Sequence, residues 1–154
     1  MMENRLNNLS IAQSVEQILD NIAKTCALCG RGASDVRLMA VTKTVEAQRV
    51  NEAIHAGVRL LGENRAQELL AKYGDYEKDG VDIHFIGHLQ TNKVRQIVDK
   101  VTMIQSLDSV ALAQDIERQC EKHDKKMNCL VEVNIGSELS KSGVAPDRLS
   151  DFLG

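Results

Sequence analysis

The sequence predicts an α/β fold, a parallel (β/α) barrel of the TIM type that is incomplete, with about five strands and an N-terminal helix. Short apolar segments rich in β-branched residues alternate with segments whose apolar residues recur at helical spacing. Strands that are joined through helices run parallel. The chain has 154 residues, whereas a closed eight-stranded barrel typically takes about 250. We therefore expect a single partial barrel domain over residues 1–154.

The first predicted element is an amphipathic helix at about residues 4–28, marked by Ile11, Val15, Ile18 and Ile22. Glycines after residue 28 end this helix. The predicted strands are 37–42, 58–61, 83–86, 102–105 and 130–135. The predicted helices are 46–56, 64–73, 91–100 and 109–123, and another begins within 146–154.

Polar side chains follow every predicted strand. In order along the chain they are Lys43, Glu63, Asn64, His88, Ser106, Asp108 and Asn134. The carboxyl ends of parallel strands meet at one edge, where both barrels and open α/β sheets build their ligand sites. The sequence therefore predicts a site assembled from these strand ends.

Lys43 ends the apolar segment Leu38-Met39-Ala40-Val41-Thr42. Strand side chains alternate, so Lys43 shares a face with Met39 and Val41, and we expect its ammonium to be partly desolvated. A desolvated lysine is the type that attacks a carbonyl and forms a Schiff base. A solvated residue at the edge of a strand is the alternative, and the pattern alone leaves it open.

Composition excludes several classes of protein. The net charge of −3 and an aromatic content of 3% without tryptophan argue against a nucleic-acid-binding surface. No apolar run reaches the length of a membrane span, and the N-terminus lacks a signal-peptide core, so we expect a cytoplasmic protein without membrane partners. Cys26 and Cys29 form a C-x-x-C pattern that we interpret as two small buried residues. His84 and His88 lack a third ligand, so we expect no metal site.

Four segments of this chain resemble the pyridoxal phosphate homeostasis protein family. They are Ala40–Thr44, Gly62–Arg65, His84–Lys93 and Ser140–Gly143, in the order and at the spacing typical of that family. The segment from His84 reads His-Phe-Ile-Gly-His-Leu-Gln-Thr-Asn-Lys and is the most specific. The resemblance extends over about residues 5–154.

The resemblance implies a barrel related to the N-terminal domain of alanine racemase, with pyridoxal 5'-phosphate held as a Schiff base on Lys43. It implies that Asn64 lies beside the cofactor and that His88 is a rim residue near it. It also implies a carrier or regulator of the intracellular vitamin B6 pool without catalytic turnover, hence without catalytic residues. Members of the family continue through three further strands that hold the cofactor phosphate, so we expect a C-terminally shortened form with weakened binding.

Three alternatives stay open from the sequence. One is a pyridoxal-phosphate-dependent racemase or decarboxylase of the same barrel type, and another is a lysine-dependent aldolase with Glu63 and His88 as acid and base. The third is a barrel fragment without function. In each case the unpaired edges of the first and fifth strands, Leu38–Val41 and Leu130–Ile135, predict self-association.

Overall fold

The computed structural model describes residues 9–136 and 142–154. The first residues of the predicted N-terminal helix, and Ser140 and Lys141 of the Ser140–Gly143 segment, lie outside this range. The α-helices are α1 Ile11–Leu28, α2 Ala47–His55, α3 Ala66–Lys72, α4 Thr91–Ile97, α5 Val110–Lys122 and α6 Leu149–Leu153. The strands are β1 Ala40–Val41, β2 Leu60–Glu63, β3 Asp82–Phe85, β4 Met103–Leu107 and β5 Asn128–Val131.

The five strands form one sheet in the order β1-β2-β3-β4-β5. The pairs β3–β4 and β4–β5 are parallel, with His84 opposite Met103 and Met103 opposite Asn128. Among the described residues, β1 and β5 stand at the two ends of this order, so these five strands form an open sheet and not a closed barrel. The predicted α/β architecture with about five parallel strands is confirmed.

The chain packs as two compact units. The first unit contains the described residues up to Leu61 together with Asp75–Asp82, and the second contains Gly62–Gly74 and the chain from Ile83 onward. The single domain expected from the sequence stays a prediction.

The first unit is organised around α1. Ser10 begins this helix with a capping box, in which its hydroxyl accepts from the Gln13 backbone N–H and the Gln13 side chain accepts from the Ser10 N–H. The helix thus begins at Ile11, the first residue of the apolar pattern, and the predicted residues before 9 lie outside the described range. Val15 and Cys26 are buried, whereas Cys29 is exposed, so the expectation of two buried cysteines is wrong for Cys29.

The second unit holds an apolar core between its strands and helices. Its most deeply buried side chains include Leu69, Phe85, Val94, Ile97, Ile104, Leu112 and Ile116. Lys125 caps the segment that follows α4, since its Nζ donates to the carbonyl oxygens of Val98 and Val101 at 2.9 and 2.5 Å. Burial lowers the pKa of Lys125, while Cys120 and Asp99 act in the opposite direction.

Among the helices of the described residues, none is both long enough and apolar enough to cross a membrane.

Candidate functional site

Lys43 lies in a tight turn directly after β1, in the first unit. The Val45 N–H donates to the Thr42 carbonyl at 3.1 Å, which closes a β-turn over Thr42–Val45. Thr44 has φ +60°, the conformation required at the third position of a type II turn and disfavoured for a β-branched residue. Such strained residues cost about 1–3 kcal/mol each and cluster at functional sites.

The environment of Lys43 differs from the one that strand alternation predicts. Its side chain is exposed, Thr42 is buried, and Val41 retains 49% of its accessible surface. The face that Lys43 shares with Val41 is therefore not covered, and the predicted partial desolvation is wrong. The outcome is an accessible primary amine on a strained turn.

Asn64 directly follows β2 and packs closely against Gly87, within the second unit. A Cβ atom placed on Gly87 would lie 2.6 Å from Asn64 Oδ1 and 2.9 Å from the Asn64 carbonyl carbon, and would overlap the Asn64 backbone oxygen. The Ile86 N–H donates to the Glu63 carbonyl oxygen at 2.8 Å. Only glycine permits this approach, so Gly87 allows the two backbones to lie close together.

His88 follows β3 and is held by two partners from other parts of the second unit. Its Nδ1 lies 3.3 Å from Asp108 Oδ2, just after β4, and 3.0 Å from Ser142 Oγ, in the segment that follows β5. These two contacts connect the imidazole ring to the residue after β4 and to the segment after β5.

The combination of serine, histidine and aspartate is not a hydrolytic triad here. In such a triad the serine and the carboxylate contact opposite nitrogens of the imidazole ring. Both Ser142 and Asp108 contact Nδ1. The arrangement orients the His88 ring rather than activating a serine nucleophile.

Glu63 has a structural role in place of the acid–base role that the aldolase alternative requires. Its side chain is fully buried, and Oε1 lies 3.2 Å from the Nζ of Lys72 on α3. Removing one member of a buried ion pair usually destabilises the fold by about 3–5 kcal/mol. The ion pair therefore connects the end of β2 to α3. Because Glu63 is engaged in this pair, its place at a strand end no longer favours the aldolase alternative.

Asn64 and His88 line one pocket of about 250 Å³ in the second unit, as the strand-end pattern predicts for this pair. The other lining residues are Arg65, Ala66, Gln67, Phe85, Leu89, Gln90 and Lys93. Lys93 was not predicted as a site residue, because it lies inside a helix rather than at a strand end. The contact of Ser142 with His88 was not predictable either, since 54 positions separate the two residues.

The two remaining strand-end residues behave differently from each other. Asn134 lies in the loop after β5, where its N–H donates to the Val144 carbonyl at 2.9 Å. Ser106 lies within β4, with 2% of its surface exposed. Ser106 therefore belongs to the interior of the second unit, and Asp108 is the residue that follows β4.

Comparison with known proteins places this chain in a family. The family model described as alanine racemase, N-terminal domain, matches residues 14–154. A pyridoxal phosphate homeostasis protein of Aquifex aeolicus is 37% identical over 144 residues, which cover 94% of this chain and 63% of that protein. The corresponding protein of Escherichia coli K12 is 36% identical over 145 residues. The chain thus spans less than two thirds of the length of these relatives.

One of the similar solved structures is described as having the cofactor bound. PipY of Synechococcus elongatus PCC7942, described as having pyridoxal phosphate (PLP) bound, matches with a TM-score of 0.68 at 33% identity, over 86% of this chain and 62% of that one. The resemblance seen in the sequence is confirmed by these relatives. The chain belongs to the alanine racemase N-terminal domain family, and its curated relatives at 32–37% identity are pyridoxal phosphate homeostasis proteins.

Proposed function

We propose that this chain binds pyridoxal 5'-phosphate through Lys43 and acts in cytoplasmic vitamin B6 homeostasis without catalytic turnover. The observation that carries the proposal is the accessible Lys43 amine on the strained Thr42–Val45 turn. The names of the relatives and the description of PipY as PLP-bound support it. We also propose that Asn64 and His88 contribute to cofactor binding.

The residues of this chain fit an aldehyde cofactor. The Lys43 side chain is exposed, so an aldehyde can reach its amine without rearrangement of the turn. Condensation of the Lys43 Nζ with the aldehyde carbon forms one C=N bond and releases one water. Bound in this way, the cofactor supplies an electron sink and a reversible carrier linkage.

Absence of turnover is the second part of the proposal. Racemisation at a carbon needs an acid and a base on opposite faces, and the aldolase needs a free carboxylic acid or carboxylate near the lysine. Glu63 is buried in its ion pair with Lys72, and Ser142 and Asp108 both hold His88 through Nδ1. These contacts favour a binding protein over the racemase and aldolase alternatives.

Reduction with borohydride tests the linkage. The chain is incubated with pyridoxal 5'-phosphate, reduced, and mapped by mass spectrometry, with Lys43→Ala as the test variant and Lys126→Ala, an exposed lysine, as the matched control. We expect the absorbance band of the Schiff base and the pyridoxyl adduct to be lost in Lys43→Ala and retained in Lys126→Ala. An adduct that persists at another lysine in Lys43→Ala, at the wild-type level, would contradict the assignment.

Exchange of amino-acid α-protons tests the absence of turnover. With saturating cofactor and D- or L-alanine in deuterated water, we expect the same exchange rate as with free cofactor. Stereospecific exchange that disappears in Lys43→Ala would show that the chain is an enzyme.

A further inference from the structure

Lys93 differs from the other half-buried lysines in its electrostatic partners. Five lysines of the described residues are half-buried. Four of them have acceptors: Lys72 pairs with Glu63, Lys78 with the Tyr76 carbonyl, Lys100 with Asp99, and Lys125 with two carbonyls. Within residues 9–136 and 142–154, the Lys93 ammonium has neither a carboxylate within ion-pair distance nor a hydrogen-bond acceptor. A partly desolvated cation without a partner is stabilised when an anion binds beside it, because the anion compensates the lost hydration.

The surroundings of Lys93 add further donors. Arg65 contacts Glu68 through Nη1 at 3.1 Å, which leaves other guanidinium N–H groups for a ligand. The pocket is also lined by His88 and by the side-chain amides of Gln67 and Gln90. Its lining, within the described residues, includes no aspartate or glutamate.

The shape of the pocket limits the size of what it accepts. Its volume is about 250 Å³, slightly below the range of about 300–1,000 Å³ that is usual for drug-sized ligands. Ala66, Phe85 and Leu89 form a buried apolar part of the lining. A single charged group with a small organic substituent matches this combination of cations, amides and apolar surface.

We propose that this pocket of the second unit binds a phosphate group, either free phosphate or a small phosphate monoester, with Lys93 as its charged anchor. A phosphate presents several oxygens in different directions, and Arg, Lys and amide donors around one pocket can contact them together. The pocket shares Asn64 and His88 with the proposed cofactor site, so this proposal deepens the proposed function and rests on it for these two residues. The two can still fail separately, because loss of phosphate binding with an intact Lys43 adduct refutes the pocket alone, and loss of the adduct with intact phosphate binding refutes the linkage alone.

Titration with inorganic phosphate tests the proposal on the full 154-residue chain. Binding is followed by backbone amide and His88 imidazole shifts in NMR spectra at constant ionic strength. We expect saturable shifts confined to residues of the pocket. We expect Lys93→Gln to weaken binding by about tenfold, which corresponds to about 1.4 kcal/mol, and Lys93→Arg to restore most of it.

Arg95→Gln is the matched control, because Arg95 lies on the same helix, is exposed, and does not line the pocket. We expect it to leave phosphate binding unchanged. Equal weakening by Lys93→Gln and Arg95→Gln would show that only the general charge of the surface attracts phosphate, and would overturn the proposal. Shifts that increase linearly without saturation would also overturn it.

Two further arms define the ligand. Methyl phosphate that binds as tightly as phosphate identifies a site for monoesters, and phosphate that binds more tightly identifies a site for the free anion. Acetate that binds as tightly as either would overturn the assignment to phosphate. All arms are repeated with Lys43→Ala, which should bind phosphate like the wild type even if cofactor binding is lost.

Chemical modification keeps the proposal testable if Lys93→Gln does not fold. Lysine acetylation of the wild-type chain is measured by mass spectrometry with and without saturating phosphate. We expect slower acetylation at Lys93 and an unchanged rate at the exposed Lys126. Equal rates at Lys93 in both conditions would contradict the proposal.

Discussion

Replacement of Gly87 by alanine is the sharpest test of how the second unit is built. The added Cβ would lie 2.9 Å from the Asn64 carbonyl carbon, whereas non-bonded carbons approach to roughly 3.5–4.0 Å. Asn64 and Gly87 must therefore separate by roughly 0.6 Å or more. The obstacle is backbone rather than a flexible side chain, so rotamer changes cannot relieve it.

The expected loss of stability follows from this displacement. The hydrogen bond from the Ile86 N–H to the Glu63 oxygen, now 2.8 Å, spans the same two loops and would lengthen beyond the usual range of about 2.7–3.2 Å. Overpacking typically costs about 1–3 kcal/mol and a lost hydrogen bond about 0.5–1.5, while a less flexible unfolded chain returns about 0.4–1. We expect the free energy of unfolding to fall by about 2–3 kcal/mol, which lowers Tm by about 4–12 °C in a chain of this size.

Gly74→Ala is the matched control. Gly74 also lies in the second unit, and a Cβ placed there meets no atom within 4 Å. We expect Gly74→Ala to leave stability unchanged or to raise it by up to about 1 kcal/mol. Urea unfolding of both variants, followed by circular dichroism, measures the difference. A Gly87→Ala variant as stable as the wild type would refute the argument that the Asn64 backbone occupies the space beside Gly87.

Three other changes test separate features. Thr44→Gly should stabilise the chain by about 1 kcal/mol in urea unfolding, because it relieves the positive φ; a loss of stability would show that the Thr44 side-chain contacts outweigh the strain. Burial lowers the pKa of Lys125 from 10.5, so the unfolded chain binds more protons between the lowered value and 10.5, and stability should rise with pH across that window. Lys125→Met should remove this contribution. The difference in free energy of unfolding between the wild type and Lys125→Met should therefore change with pH across the window, and a constant difference would contradict the prediction. We expect the chain to self-associate through the exposed edge of β5, where Leu130 is 50% exposed, and Leu130→Lys to reduce this association in sedimentation velocity; a wild-type chain that stays monomeric, or association unchanged by Leu130→Lys, would contradict the expectation.

The succession of elements was predictable from the sequence because each element carries a local pattern. Alternation of apolar segments with helical spacing located all five strands and the helices between them. The observed bounds of an element differ from the predicted ones where hydrogen bonding, rather than the apolar pattern, determines where the element ends. The fifth strand, predicted at 130–135, is paired over Asn128–Val131 because its register with β4 ends where Leu107 meets Val131. The residues that pair across neighbouring strands, unlike the periodicity within one strand, cannot be predicted from the local sequence.

The candidate site was only partly predictable for the same reason. Strand ends located Lys43, Asn64 and His88, but alternation indicates which side chains share a face and not what covers that face. Val41 is 49% exposed, so the apolar neighbours of Lys43 do not desolvate it. Likewise, the residue sequence around His88 does not reveal its contacts, because these come from segments that are distant along the chain.

Two glycines explain how these distant segments reach His88 and its pocket. Gly87 brings the end of β3 against Asn64, which places Asn64 and His88 on the same pocket. Gly143 has φ +117°, and a Cβ there would lie 2.7 Å from the Asn134 nitrogen, so its position also excludes a larger residue. Ser142 precedes Gly143 directly and is thereby held where its Oγ lies 3.0 Å from His88 Nδ1. Backbone packing at both glycines thus orients the side chain of His88. Substitution of either glycine should therefore displace the His88 ring indirectly, through the backbone.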